Sequence, residues 1–426
     1  MKDGRVAAIA AFGTLLLLAS VVYGRIFDLQ PFGDGNLHIL FWADRAPASE
    51  LLHGDTGLYP EWRPLAYLTV WLQYRWFQID HADVYYVVNL LLWTGCAWLV
   101  WEIVRCLTGS FAPGLLAAAV VLTDTRTIMM LTTFEHYNSL ACFFGLIALL
   151  IVVRTRDQRL TRPGWIALSL LLLASGLSKE FGLAFTGAVA VSSLLERRRD
   201  AGTAAIAAGV MYALIRIAFA GGAVATYCEE VGYFFTLRDV CYDGVHSAQV
   251  TQAAYNVAAT GVGLILPGVF TELGQIGVAP RVVAASVVWL AVVALGCSKS
   301  PATRRMTFLV VAFSAALSFM LYRDRNHMVA LCALGVALGV GLAVADAAVQ
   351  TSARPRLIRA TAAAALLVLL AAQAIATREL IAAEVTESHR YDPCDTLRGL
   401  RPPDPAFITR IKTAYGMPNP DCAPGR

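Results

Sequence analysis

Apolar stretches long enough to cross a lipid bilayer recur along this chain, and no other feature limits its fold so tightly. Residues 7–22, 84–104 and 357–376 are three such runs, each near the roughly 20 residues that a helix needs to traverse about 30 Å of hydrocarbon. The remaining positions cannot supply a water-facing surface. Apolar residues make up 58% of the chain and charged residues 15%, with a mean hydropathy of +0.60, whereas soluble domains carry about 25% charge. The expected fold is an all-α, polytopic integral membrane protein.

The net charge of +4 says little about partners, but the placement of the basic residues sets a topology. Lys2 and Arg5 precede the first run, and Tyr23-Gly24-Arg25 offers no small-x-small cleavage site, so the run reads as a retained first span. Four later segments are rich in Lys and Arg: 154–162, 197–199, 299–305 and 354–359. The positive-inside rule assigns all four to the cytoplasm. An odd number of crossings must then separate Arg25, outside, from Arg154, inside. Spans at about 84–104, 110–130 and 137–154 satisfy that parity, so residues 67–77, interrupted by Gln73 and Arg75, are expected to lie along the outer interface. By the same parity residues 257–270, broken by Gly261, Gly263 and Pro267, form a re-entrant or interfacial segment. Further spans at about 163–177, 181–196, 202–220, 281–297, 306–322, 328–347 and 357–377 bring the expected count to about 11, in a range of 10–13. A count of 13 would strand residues 154–162 and 197–199 outside.

This topology divides the chain into a transmembrane module at 1–220, with a first outer loop at 24–83, an outer loop at 221–280, further spans at 281–377 and an outer tail at 378–426. Of nine cysteines, Cys96, Cys106, Cys142, Cys297 and Cys332 fall within or beside apolar runs, and Cys228, Cys241, Cys394 and Cys422 fall in polar segments. The second set reads as two disulfides in the compartment where such bonds persist. Cys228–Cys241 would close a short loop, and Cys394–Cys422 would fold the Pro-rich tail over the site, where it would bear on acceptor choice.

The outer face also receives most of the ionisable residues that are expensive at membrane depth. Asp28 and Asp34 lie in the first loop. Asp34 sits in Phe32-Gly-Asp-Gly-Asn36, where glycines let the backbone turn tightly, and a carboxylate there can deprotonate a hydroxyl or hold a cation. Arg63 precedes the interfacial segment, and Lys179, with Glu180, interrupts an apolar stretch between two spans. Either cation suits a lipid phosphate; snorkelling to the interface is the plain alternative. Glu135 and His136 open the fourth span as a helix-entry pair or as ligands of a divalent metal ion, the one candidate cofactor, for which a third ligand must come from elsewhere. Arg323, Arg325 and His327 lie in a short outer loop and, with Asp28 and Glu180, are candidate substrate contacts. Asp124 and Arg126 sit in the outer half of the third span.

Taken in order, the Asp34 loop, Trp62-Arg-Pro-Leu65, Val87-Val-Asn-Leu-Leu-Leu92, Glu135-His136 and Leu177-Ser-Lys-Glu180 resemble the GT-C superfamily of membrane glycosyltransferases. The likeness is nearest to protein O-mannosyltransferases of the TPR-bearing type and looser to bacterial lipid A aminoarabinose transferases, and it covers roughly residues 5–195. It implies a sugar donor carried on a polyprenyl or dolichyl phosphate, Asp34 as the base, and Arg63 and Lys179 as phosphate ligands. The chain departs from those relatives in having Gly33-Asp34 where two adjacent acidic residues are common, and no 34-residue repeat follows the last span. These departures leave the acceptor, whether protein, polysaccharide or lipid, open.

Independently of the resemblance, the sequence has no P-loop and no Gly-x-Gly-x-x-Gly fingerprint, and a lipid-borne donor fits a chain without a nucleotide-sugar domain. The expected partners are a polyprenyl-phosphate sugar, membrane lipid and a protein or glycan acceptor, with no nucleic acid. A transporter or flippase is the rival reading, but residues 1–200 and 201–377 do not repeat each other. A non-catalytic scaffold would not require the aspartate, arginine and lysine together. Abundant Ala and Arg suit a bacterial inner membrane with the site facing the periplasm; an endoplasmic reticulum membrane satisfies the same constraints.

Overall fold

The computed structural model describes residues 2–30, 36–47, 49–50, 62–81, 83–134, 136–219, 327–350, 354–390 and 405–415. All regular structure among them is helical. Between α1 (Lys2–Tyr23) and α4 (Asp83–Thr108) lie α2 (Asn36–Arg45) and α3 (Pro64–Phe77). Then come α5 (Ala112–Leu122), a single turn α6 (Ile128–Leu131), α7 (Tyr137–Arg154), α8 (Arg162–Ser178), α9 (Leu183–Leu195) and α10 (Arg199–Phe219). The described C-terminal elements are α11 (His327–Gln350), α12 (Pro355–Arg390) and α13 (Pro405–Tyr415). Prolines occupy the first turns of α3, α5 and α8, where no intrahelical N–H is needed, and Thr161 caps α8 by accepting from Gly164 N.

Five described helices are long and apolar enough to cross a membrane: α1 with its following turn, α4, α7, α10 and α12. Apolar parts of α5, α8, α9 and α11 are shorter. The spans expected at 281–297 and 306–322, and the segment at 257–270, lie outside the described residues.

Side-chain pairs give the helix directions. Asn89 meets Ser139 and Glu102 meets Arg154, so α4 and α7 run parallel. Trp165 reaches Thr203 and Gly176 abuts Tyr212, so α8 and α10 also run parallel, with α9 antiparallel between them. Gly335 packs near Val100 and Gly339 against Val104, which aligns α11 with α4. Arg359 of α12 pairs with Asp346 of α11. These directions gather three of the four basic segments at one end of the bundle, where Arg198 donates to Val152 O and Arg105 and Arg154 both grip the buried Glu102. The fourth segment, 299–305, lies outside the described residues. At the opposite end α1 finishes and α4 begins, so α3 joins them without crossing. Its Leu72 and Trp76 are exposed apolar residues.

Helix contacts are close because small residues face large ones: a Cβ added to Gly145 would lie 2.2 Å from the Phe185 ring, and one on Gly335 would lie 2.3 Å from Val121. The outward faces are apolar instead of charged. Val6, Ile9 and Leu17 of α1, Ile206, Val210 and Leu214 of α10, and Leu357, Leu367 and Val368 of α12 are all exposed, a surface suited to lipid and not to water.

The third span departs from expectation. In place of a helix over 110–130, α5 stops at Leu122, about 16 Å from its start, and the chain continues through Thr123, Asp124 and a short 3₁₀ turn before α6. The polar Thr123-Asp-Thr-Arg-Thr127 run offers the backbone side-chain bonds that compete with the helix. The groups freed by the break are capped from distant elements. Tyr23 Oη donates to Leu122 O, Thr377 Oγ1 donates to Thr123 O at 2.8 Å, and Asn89 Nδ2 donates to Thr133 O at 2.6 Å. Asn36 makes two such bonds, donating to Thr132 O and accepting from Phe134 N, both at 2.9 Å.

Replacing Asn36 with Ala removes both bonds from a buried backbone, at a cost of roughly 1–3 kcal/mol for each group left unsatisfied. Thermal unfolding in detergent is expected to show a clear drop in melting temperature for Asn36→Ala; a midpoint equal to wild type would refute the clamp.

Candidate functional site

Arg63 stands immediately before α3, which Pro64 starts. A residue before proline is driven out of the helical region, and Arg63 adopts φ −134° and ψ 62°. Lys179 leaves α8 in an extended conformation, φ −162° and ψ 142°, and a 3₁₀ turn over Glu180–Gly182 feeds α9. That reversal depends on Gly182, because a Cβ there would sit 2.1 Å from Ser175 O. Ser175 Oγ in turn donates to Ala141 O at 2.7 Å, which holds the turn against the start of α7.

There the two cations converge. The Arg63 guanidinium and the Lys179 ammonium each lie 4.1 Å from the centre of the Tyr137 ring, and each residue is 3% exposed. Such cation–π contacts gain strength when desolvated. Lys179 Nζ also donates to Asn138 Oδ1 at 2.8 Å and lies 4.5 Å from the Phe181 ring. Arg63 Nη2 is 3.5 Å from Glu180 Oε1. From α10, Arg216 Nη1 donates to Tyr212 Oη at 2.7 Å, and the Tyr212 ring meets Trp62 edge-on at 6.0 Å. Among the described residues the cluster thus joins Arg63, Lys179 and Arg216 around one carboxylate. The N-terminal ends of α3, α7 and α9 meet at the same place, and their dipoles also favour negative charge.

Burial acts to raise the Glu180 pKa, but Arg63, Lys179 and Arg216 outweigh it and hold the carboxylate down at about 2, from the usual 4.5. His136, beside Tyr137, is buried against Tyr85 with Nε2 2.9 Å from Gln73 Oε1. Burial pushes its pKa down to about 3, so the imidazole is neutral.

Of the residues singled out in the sequence, Arg63, His136, Lys179 and Glu180 are brought to one end of the bundle, along residues 136–138. Asp28 is not in this cluster: it pairs with Arg25 at 3.6 Å, and its carbonyl accepts from His389 of α12 at 3.1 Å. Asp34, Glu135, Arg323 and Arg325 lie outside the described residues, as do Cys228, Cys241, Cys394 and Cys422. His327 opens α11, but its side chain is not described. Cys96, Cys106, Cys142 and Cys332 are free thiols. No group of three or more His, Cys, Asp or Glu able to hold a metal ion occurs among the described residues. Part of the tail, α13, rests on α2, where Phe407 meets Phe41 edge-on at 5.1 Å and Arg410 pairs with Asp44 at 2.7 Å.

Sequence reasoning passed over Tyr137, Asn138, Tyr212 and Arg216. Arg216, four residues after Tyr212 within an otherwise apolar span, carried a visible signal; the others are ordinary residue types until the fold assembles them. No protein-family model matches the chain, and no curated protein matches it.

Because the folded pKa of Glu180 lies below its unfolded value, its contribution to stability is present above pH about 4.5 and disappears as the pH falls through about 2. Glu180→Gln is expected to melt below wild type at pH 7 and to converge on it as the pH is lowered across that window in detergent. A difference independent of pH would show that the carboxylate charge is not what holds the cluster.

Proposed function

We propose that this chain is a membrane glycosyltransferase that moves a sugar from a polyprenyl-phosphate donor to a hydroxyl acceptor. One observation carries the reading: two buried cations, 116 positions apart in the chain, are brought to the same aromatic ring at the end of a lipid-facing bundle. Arg63 and Lys179 hold the lipid phosphate, Arg63 through its planar fork and Lys179 as a point charge. Alternating helix directions and the basic opposite end support a site on the extracytoplasmic face, which for a bacterial inner membrane is the periplasm. The exposed apolar faces of α8 and α10 allow a lipid-borne donor to approach sideways.

Asp34 is the base of this mechanism. It takes the proton of the acceptor hydroxyl, whose oxygen attacks the anomeric carbon as the bond to the lipid phosphate breaks. The phosphate leaves with the bonding electron pair, neutralised by Arg63 and Lys179, and an in-line displacement inverts the anomeric configuration. The resemblance to GT-C enzymes supports the same roles. A divalent metal ion would draw on Glu135 and His136, and is not required by any of these steps.

The test uses the purified full-length protein in detergent with radiolabelled polyprenyl-phosphate sugars. Wild type is expected to consume donor and Asp34→Asn to lose turnover. Arg63→Ala and Lys179→Ala are expected to weaken donor binding by about 10- to 100-fold, the scale of one charge-assisted hydrogen bond. Absence of turnover in wild type, with movement of labelled lipid between vesicle leaflets, would favour the transporter instead.

A further inference from the structure

His136 combines two unfavourable features that packing does not explain. Its backbone is left-handed, φ 52° and ψ 1°, a conformation that costs a non-glycine residue free energy and collects at functional positions. Its side chain is 1% exposed, and one ring nitrogen, Nδ1, is buried with no hydrogen-bond partner among the described residues. Buried polar atoms are nearly always satisfied, and an exception calls for a cause.

The ring's other contact specifies what Nδ1 can accept. Nε2 faces Gln73 Oε1 at 2.9 Å, and a carbonyl oxygen only accepts, so Nε2 carries the proton. In a neutral imidazole Nδ1 is then a bare acceptor. It cannot bind a phosphate oxygen, which has no proton to offer, but it suits a hydroxyl. The next residue, Tyr137, is the ring on which Arg63 and Lys179 converge. In a glycosyl phosphate lipid, the group bonded directly to the phosphate is a sugar rich in hydroxyls.

We propose that His136 Nδ1 accepts a hydrogen bond from a hydroxyl of the donor's glycosyl group, making His136 a sugar-binding residue beside the phosphate site. The proposal rests on the phosphate-lipid reading above. Within that reading, Gln73 fixes the tautomer and α3 fixes Gln73, so the interfacial helix positions the residue that senses the sugar.

The experiment uses the full-length protein in detergent, labelled with [15N]histidine. Comparison with His136→Gln identifies the imidazole signal among the seven histidines. The probes are polyprenyl phosphate, mannosyl and glucosyl polyprenyl phosphate, and a divalent metal ion alone. The expected Nδ1 resonance is that of an unprotonated nitrogen, unmoved by the sugarless lipid and moved upfield by at least one glycosyl lipid. His136→Gln is expected to bind that lipid about tenfold more weakly while keeping its affinity for polyprenyl phosphate. His136→Asn, whose amide oxygen can stand near the Nδ1 position, is expected to restore most of the loss. The proposal is overturned if the sugarless lipid or the metal alone moves the resonance, if no glycosyl lipid does, or if both variants bind like wild type. Failure of wild type to bind any polyprenyl phosphate would instead remove the parent reading, and this one with it.

Discussion

A backbone that leaves its helix away from water must find hydrogen-bond partners in the protein. Between Leu122 and His136 the chain does so, and the partners come from α1, α2, α4 and α12: Tyr23, Asn36, Asn89 and Thr377. Each of these residues spends its polar group on a carbonyl or amide far away in sequence. Together they fix the position of residues 132–134, next to the segment 136–138 on which the cation cluster is built. Packing of small against large residues brings the helices together, but these few bonds decide where the irregular segment lies.

The cluster inherits its order from that segment. Tyr137 and Asn138 are the first residues of α7, and their position is set by the clamp on Thr132 and Phe134 upstream and by the Ser175–Ala141 bond downstream. Arg63 and Lys179 arrive as residues that flank helix ends, each aimed by local backbone chemistry: a following proline in one case and a close glycine contact in the other. A geometry held in this way loses little order when an anion enters.

All-α architecture was legible in the sequence because hydrocarbon thickness dictates the length of each apolar run. The alternation of helix direction could be read from arginines, since moving one across a membrane is costly. The break after Leu122 was hidden because the flanking residues are so apolar that a window average conceals Thr123-Asp-Thr-Arg-Thr127. Arg63 and Lys179 could be found as charges out of place. Tyr137 and Tyr212 could not, because an aromatic residue acquires its role only from what tertiary packing sets against it. Five long apolar helices lie among the described residues.

The contact between α13 and α2 has a consequence for how the protein is made. Arg410 and Asp44 are 366 positions apart, so the helix that braces α2 is synthesised long after it. Until then α2 lacks Phe407 and Arg410, and Asp44 keeps only Tyr74 of that set. α2 is therefore braced only late in biogenesis, and a chain released before α13 would insert its first helices yet lack this contact.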